Sequence, residues 1–550
     1  MTVDALRERT GGELVVEGLR RWGVDVVFGL PGVQLDGMYE GLALEPSMRV
    51  IHTRHEQATS YMADGYSRVT GRVGVCAVVP GPGVLNAAAG LATAYACGSR
   101  VLCVVGQVPT ADLGRGRGVL HEIPDQQAML RGVIGRSEYA TCPEDVPGLV
   151  DGVFAAIEGN ERPRPHALEV GWDTMLRRAP VTWPHKPALP EPKRPDLALI
   201  DEAASVLTRA ERPVILAGGG ALRAGASLVA LAERLGAPVV MTTEGKGAIP
   251  ASHPLALPLL AVPPLFEGAD ALLILGSRAH LSRGPLAVAP DITVIRIDVD
   301  PSELDQSVKP SIAIEADAHE AVVALLEAVE AAPSPPAGAV AKRTDATREL
   351  GAKLRDGLAA RFPQLASCCE QLRAAIPDDG VLVDEMTQVG YYARNGYPVE
   401  GPGQYLGSGY QGTLGFGFPT GLGAKVGAGD RVVVSISGDG GFLYGAGELA
   451  TAAQHDIALI TVVFRDDAYG NVLRMQQESS GHEIASRLKN PDLVKLAESF
   501  GVAGHRVSRL GDLRATIERA IEAGGPALVD VPIGPQPDLW GLLTLRERLV

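Results

Sequence analysis

The sequence predicts an α/β protein built from three doubly wound parallel-sheet domains, and three observations carry that reading. The chain has 550 residues, too many for one hydrophobic core. Two proline-rich stretches, APVTWPHKPALPEPKRP (179–195) and AAPSPPAGAVAKR (331–343), interrupt it at a density that helices and central strands do not tolerate. Between these stretches short apolar runs alternate with helical patterns, as expected of parallel strands covered by helices on both faces. The blocks so defined are 1–180, 194–332 and 345–550.

In the first block the strand candidates are VDVVFGL, RVGVCAVV and RVLCVVGQ. The second block offers RPVILAGGG, APVVMTT, DALLILGS and ITVIRIDVD, and the third GVLVDE, RVVVSISGDG, IALITVVFRDD and PALVDVPI. Their near-continuous apolar character marks interior strands. In such sheets ligands bind beyond the C-terminal strand ends.

Composition narrows the function classes. A net charge of −15 argues against a nucleic-acid partner, which would need a basic face. No apolar run is long enough to span a membrane, and the opening MTVDALRERTGG lacks the apolar core of a signal peptide. The six cysteines show no metal-binding spacing and read as reduced thiols of a cytoplasmic protein.

The densest chemistry lies at 438–471. VVVSIS reads as a strand, GDGG as its exit turn, FLYGAGELATAAQH as a helix and IALITVVF as the next strand. A strand–helix–strand unit brings both exit turns to one sheet edge, so Asp439 and Asp466 should meet. Two converging carboxylates repel unless a cation lies between them, and Mg²⁺ takes such ligands together with phosphate oxygens. The glycines at 438, 440 and 441 let backbone amides approach a phosphate at a helix start. The local expectation is a Mg²⁺–diphosphate site; the plainer alternative is two unrelated turn aspartates.

That segment resembles the cofactor motif of thiamine-diphosphate-dependent enzymes, in which GDG is followed some 25–30 residues later by an Asn pair. The resemblance implies metal ligation by Asp439, Asp466 and the carbonyl of Ala468, with Gly438, Gly440, Gly441, Tyr469 and Gly470 around the diphosphate. Here Arg465-Asp466 stands where the family usually has Asn-Asn. The likeness runs through nearly the whole chain. FGLPGVQLD, RHEQATSYMADGYSRVTGRVGVCAVVPGPGVLN and the following residues resemble the pyrimidine-binding domain of the acetolactate synthase and 2-oxo-acid (benzoylformate, pyruvate) decarboxylase branch. This implies that Glu56 hydrogen-bonds the cofactor's N1′, with Gly81 nearby. A carboxyl in an apolar cleft suits that task, because burial favours its protonated form; a salt bridge with Arg54 or His55 is the structural alternative. In YLGSGYQGTLGFGFPTGLGAK the resemblance assigns Leu414 as the wedge beneath the cofactor and the Gly412 carbonyl as an acceptor. Thr387 and Gln388 match diphosphate-touching positions. The middle block resembles the central domain of the same branch, but RAHLSRGPL lacks the acidic Phe-Asp-Asp-Arg pattern of its FAD-binding members. FAD is therefore not expected.

The implied reaction is thiamine-diphosphate- and Mg²⁺-dependent cleavage or formation of a C–C bond next to a carbonyl. A small 2-oxo acid loses CO₂, and the acyl carbanion passes to a second carbonyl, as in an acetolactate-synthase-like carboligase. The alternatives are a simple 2-oxo-acid decarboxylase, a 2-hydroxyacyl lyase and a non-catalytic cofactor-binding paralogue. Val33, Asn471 and Val472 are the candidate substrate-facing positions, and their poverty in proton donors favours carboligation. His121 is the candidate acid–base group, although a lone loop histidine is commonly only hydrogen-bonded surface. The resemblance further implies a homodimer or homotetramer with active sites between subunits.

Overall fold

Three six-stranded sheets form the frame of the computed structural model, which describes residues 8–281, 284–333, 335–336, 338–545 and 548–549. The opening MTVDALR, Ser282 and Arg283 of the loop expected to lack an FAD pattern, and Ser334 and Ala337 of the second proline-rich stretch lie outside the described residues.

Every strand pair within these three sheets is parallel. In the first the order is Arg49–His52, Val26–Gly29, Gly74–Val78, Val101–Gln107, His166–Gly171 and Ser137–Ala140. The second runs Ala256–Pro258, Val239–Met241, Pro213–Ala217, Ala271–Leu275, Thr293–Asp298 and Ile312–Glu315. The third runs Tyr405–Leu406, Val381–Asp384, Val433–Gly438, Ile460–Arg465, Ala527–Pro532 and Ala503–Arg506. The expected α/β class is the one observed.

Apolar side chains fill both faces, as continuous apolar strands require. Along the strand Val433–Gly438, Val434 and Ile436 enter one core while Val433 enters another. The core that takes Val433 also takes Phe28, Cys76 and Val105 of the first sheet, so the first and third blocks share an interior. Helix Glu56–Thr70 crosses helix Gly417–Ala428 within it. Glycines let the two backbones touch: a Cβ at Gly423 would lie 1.9 Å from the Met62 carbonyl oxygen, and one at Gly65 2.1 Å from that of Thr420.

Arg68, on the same helix, joins all three blocks. Its guanidinium donates to the Gly407 carbonyl of the third at 2.6 Å and to Glu244 of the second at 2.8 Å. Asp64, fully buried, stands one helical turn away at 3.7 Å.

Residues 181–196 carry no helix or strand. The second proline-rich stretch is shorter than its composition suggests. Helix Ala339–Arg361 begins directly after Gly338, because the prolines end at Pro336 and AVAKR is good helix sequence. FLYGAGELATAAQH is not one helix either. It divides into Asp439–Phe442, a 3₁₀ turn at Ala446–Glu448 and Leu449–Gln454, with Gly445 and Gly447 at the break. All six cysteines are free thiols, four of them buried. No helix among the described residues is long and apolar enough to cross a membrane.

Candidate functional site

The strand orders place two crevices. In the third sheet Val381–Asp384 and Val433–Gly438 are neighbours whose chain connections leave in opposite directions, and their C-terminal ends open a ligand crevice. In the first sheet Val26–Gly29 and Gly74–Val78 stand in the same relation.

At the third-sheet crevice, Asp439 opens a short helix directly after its strand, and Asp466 follows the next strand in register. Their carboxyls meet. Desolvation raises both above the usual carboxylate range, and the charge of Asp439 raises Asp466 further. A Cβ at Gly470 would stand 2.3 Å from Asp466 Oδ2 and 3.5 Å from Gln388 Nε2. One at Gly438 would stand 3.5 Å from Thr387 Oγ1. Thr387, Gln388, Gly438, Asp439, Asp466 and Gly470 therefore surround one point. The ring of Tyr469 lies against Gly440, where a Cβ would come within 2.7 Å. Ala468 is fixed by a bridge to Arg487 and by the Tyr469 amide on the Ser486 carbonyl at 2.8 Å.

Arg465 turns away from this point. It pairs with Asp530 of the adjacent strand at 3.2 Å and with the exposed Asp467 at 3.1 Å, and with neither Asp439 nor Asp466. Asn490 donates to both Asp439 and Asp467. Two desolvated carboxyls in contact, eased by the Asn490 amide and by backbone amides at 439, 466 and 468, fit a hard divalent cation, with the Ala468 carbonyl as a further oxygen ligand.

Glu385, passed over in the sequence, is central here. It is fully buried directly beyond the strand Val381–Asp384. It accepts from the Gly415 amide at 2.7 Å, the Gly417 amide at 3.1 Å and the Ser437 hydroxyl at 2.6 Å. A Cβ at Gly441 would lie 1.9 Å from Glu385 Oε1. This single carboxyl ties the Gly412–Leu414 loop to the strand and helix that carry Asp439. Desolvation pushes it up to about 7, against the pull of those hydrogen bonds. Gly412 itself borders Met386, and Leu414 is half-buried.

At the first-sheet crevice, Glu56 begins helix Glu56–Thr70 and is half-buried. Its hydrogen-bond partner is the Asn86 amide at 3.0 Å, while Arg54 bonds Gln454 and His55 caps its own helix at the Gln57 amide. The expected enclosure of Glu56 by apolar walls is only partial within one chain. Val79, which packs between Gly32 and Gly83, supplies part of it.

Gly81, at φ +60°, lets the PGPG loop press on His121: a Cβ there would sit 2.4 Å from the His121 carbonyl oxygen. Its amide is held by Gln126 at 3.0 Å, and Gln126 rests on buried Glu169 at 2.9 Å. His121 adopts φ +68°, and its Nδ1 lies 3.2 Å from the Oε1 of buried Gln34, next to Val33. Glu56, Gly81, His121 and Val33 thus gather at one sheet end. Asn471 and Val472 belong to the other crevice, on helix Gly470–Ser480. Asn471 accepts from Arg474 at 2.6 Å and Val472 is exposed.

The residues that the sequence did not single out are Gln34, Asn86, Gln126, Glu385 and Asn490. An acid immediately after an apolar strand was a usable signal for Glu385. Asn490 reaches Asp439 from a distant loop that no local pattern marks.

Three family models match successive segments of the chain. Residues 9–129 match the N-terminal TPP-binding domain of thiamine pyrophosphate enzymes, 200–325 the central domain, and 385–531 the C-terminal TPP-binding domain. A probable 2-ketoarginine decarboxylase (AruI) of Pseudomonas aeruginosa is 35% identical over 537 residues, covering 95% of this chain and 94% of that protein. A probable acetolactate synthase large subunit of Methanocaldococcus jannaschii is 32% identical over 551 residues, covering 96% and 92%. The acetolactate synthase large subunit of Corynebacterium glutamicum is 30% identical over 571 residues, covering 97% and 88%.

Proposed function

The chain belongs to the thiamine pyrophosphate enzyme family, in its acetolactate synthase and 2-oxo-acid decarboxylase branch, and from that premise we propose its reaction. It decarboxylates a small 2-oxo acid and passes the acyl carbanion to a second carbonyl, using thiamine diphosphate and Mg²⁺. The observation that carries this reading is the meeting of Asp439 and Asp466 beside Thr387 and Gln388 at the switch of the third sheet.

When bound, the cofactor supplies a carbon nucleophile and an electron sink. Asp439, Asp466 and the Ala468 carbonyl hold the metal. Thr387, Gln388 and the amides at 438–441 hold the diphosphate. Glu385 keeps the Gly412–Leu414 loop in place against them. Glu56 holds a proton at its carboxyl oxygen for the ring nitrogen of the aminopyrimidine. Val33 and Val472 offer an apolar surface that keeps water from the substrate, which favours transfer to a carbonyl over protonation.

Glu56 and the Asp439–Asp466 pair come, in this proposal, from different chains of a homodimer or homotetramer. The partly open surroundings of Glu56 and the exposed Leu85, Tyr444 and Val472 support that arrangement.

A second reading is simple decarboxylation. It is favoured by the His121 imidazole beside Gln34, a proton carrier near Glu56, and by the relative named a 2-ketoarginine decarboxylase. Product analysis with a panel of 2-oxo acids, including pyruvate, benzoylformate and a guanidino-substituted acid, separates the two. Hydroxyketone or acetohydroxy-acid products support carboligation. Aldehyde alone selects the second reading, and no CO₂ from any acid, with cofactor and Mg²⁺ present, rejects both. Glu56→Gln should lower CO₂ release by about 10²–10⁴-fold, the usual worth of a positioned acid–base group.

A further inference from the structure

Helix Gly470–Ser480 has no fully buried residue, yet Arg474 in its middle is drawn inward, with 17% of its side chain exposed. Three groups hold its guanidinium. It pairs with Asp538, lies 3.4 Å from Glu478 and donates to Asn471 Oδ1 at 2.6 Å. Asp538 is itself fixed. It accepts from the Trp540 amide at 2.7 Å, and Leu539 and Leu542 beside it are buried. The Trp540 ring meets Tyr391 edge-on, 5.5 Å between centres. Tyr391 belongs to helix Gln388–Gly396, whose first residue reaches the point that Asp466 and Gly470 share. The segment around Asp538 therefore ties together the two helices that start at the metal crevice.

Asn471 directly follows Gly470, where a Cβ would touch Asp466 Oδ2. An arginine can only donate, so its bond settles which end of the Asn471 amide faces it: the oxygen. The amide nitrogen keeps two donor hydrogens, and among the described residues neither has an acceptor. Asp538 and Glu478 neutralise the guanidinium, so the group left for a ligand is a neutral donor rather than a cation. That difference matters for loss of CO₂. A cation at the substrate carboxylate would stabilise charge that those oxygens lose on the way to the transition state.

We propose that Arg474 is a positioning residue: clamped by Asp538, it turns the Asn471 amide so that its NH₂ group donates to a carboxylate oxygen of the 2-oxo acid. This rests on the decarboxylation of a 2-oxo acid proposed above, with or without transfer to a second carbonyl.

Steady-state kinetics of the holoenzyme, with the acid of the panel that it turns over best, test this through a double-mutant cycle. Asn471→Ala and Arg474→Met should each raise KM about tenfold, the worth of a hydrogen bond to a charged acceptor, with kcat and thiamine diphosphate affinity within about twofold. In the Asn471→Ala background, Arg474→Met should change KM by less than about twofold, because the arginine acts through the amide alone. Asp538 and Glu478 are partly exposed, so water can replace the guanidinium on both. Should Arg474→Met still not fold, Asp538→Ala loosens the same clamp. It should raise KM about threefold when Asn471 is present and leave it unchanged when Asn471 is absent. Equal effects of the clamp variant in the two backgrounds would make Arg474 merely structural and overturn the proposal. An unchanged KM in Asn471→Ala or Arg474→Met would do so too. Either result in an enzyme that releases CO₂ leaves the reaction standing, whereas no CO₂ from any acid with the native enzyme rejects the reaction and this proposal together.

Discussion

Glu385 shows what one buried acid can control. Its buried carboxylate accepts from two backbone amides and one hydroxyl, so the group is structural as well as local to the chemistry. Because burial lifts its ionisation to about 7, above the usual carboxylate value, the folded chain binds this proton more tightly than the unfolded chain does. Its contribution to stability is greatest below about pH 4.5 and declines as pH rises through 7. Glu385→Gln should flatten that part of the pH–stability curve. It should also lower thiamine diphosphate affinity, since an amide cannot accept all three hydrogen bonds equally well. Urea titrations across pH 4 to 8 check the first expectation, and one that left the slope unchanged would remove Glu385 from this role. The neighbouring departure, Arg465, bears no such weight at the metal: it is paired with buried Asp530 and exposed Asp467.

At the scale of elements, the turn around Gly81 links the sheet to the chemistry. Gly81→Ala would force a Cβ toward the His121 carbonyl and strain a backbone at φ +60°, costing about 1–3 kcal/mol. Melting temperature should fall, and kcat should fall more than KM rises, because the loop supports Glu56 and His121 rather than the diphosphate. The interior strands were legible because both their faces are apolar. The edge strands were not. Arg49–His52, Ser137–Ala140 and Ala503–Arg506 are each partly exposed and carry charge, so no apolar run announces them. His166–Gly171 is fully buried yet was hidden by His166 and Glu169, and Glu169 is satisfied by Ser137, Gln107 and Gln126 from neighbouring segments. The GDG pair was readable because a parallel crossover has one geometric outcome. Asn86, Gln126 and Asn490 were not, because their partners are set by tertiary contacts alone.

For the whole molecule the testable matter is where one site ends and the next chain begins. If Glu56 and Asp439 of one site come from different chains, Glu56→Ala and Asp439→Ala should each be inactive alone. An equal mixture, unfolded and refolded together, should recover about a quarter of native activity, since half the dimers are mixed and each keeps one intact site. No recovery, with dimers present by light scattering, would place both residues in the same chain's site. The guanidinium of Arg68 bears on a different property. One helix reaches a carbonyl of the third block and a carboxylate of the second, with Asp64 beside it, and removal would strand buried Asp64 and half-buried Glu244. Such a knot should make calorimetric melting a single event for three separately built sheets. Arg68→Ala should split that endotherm into resolved peaks, the central sheet releasing first.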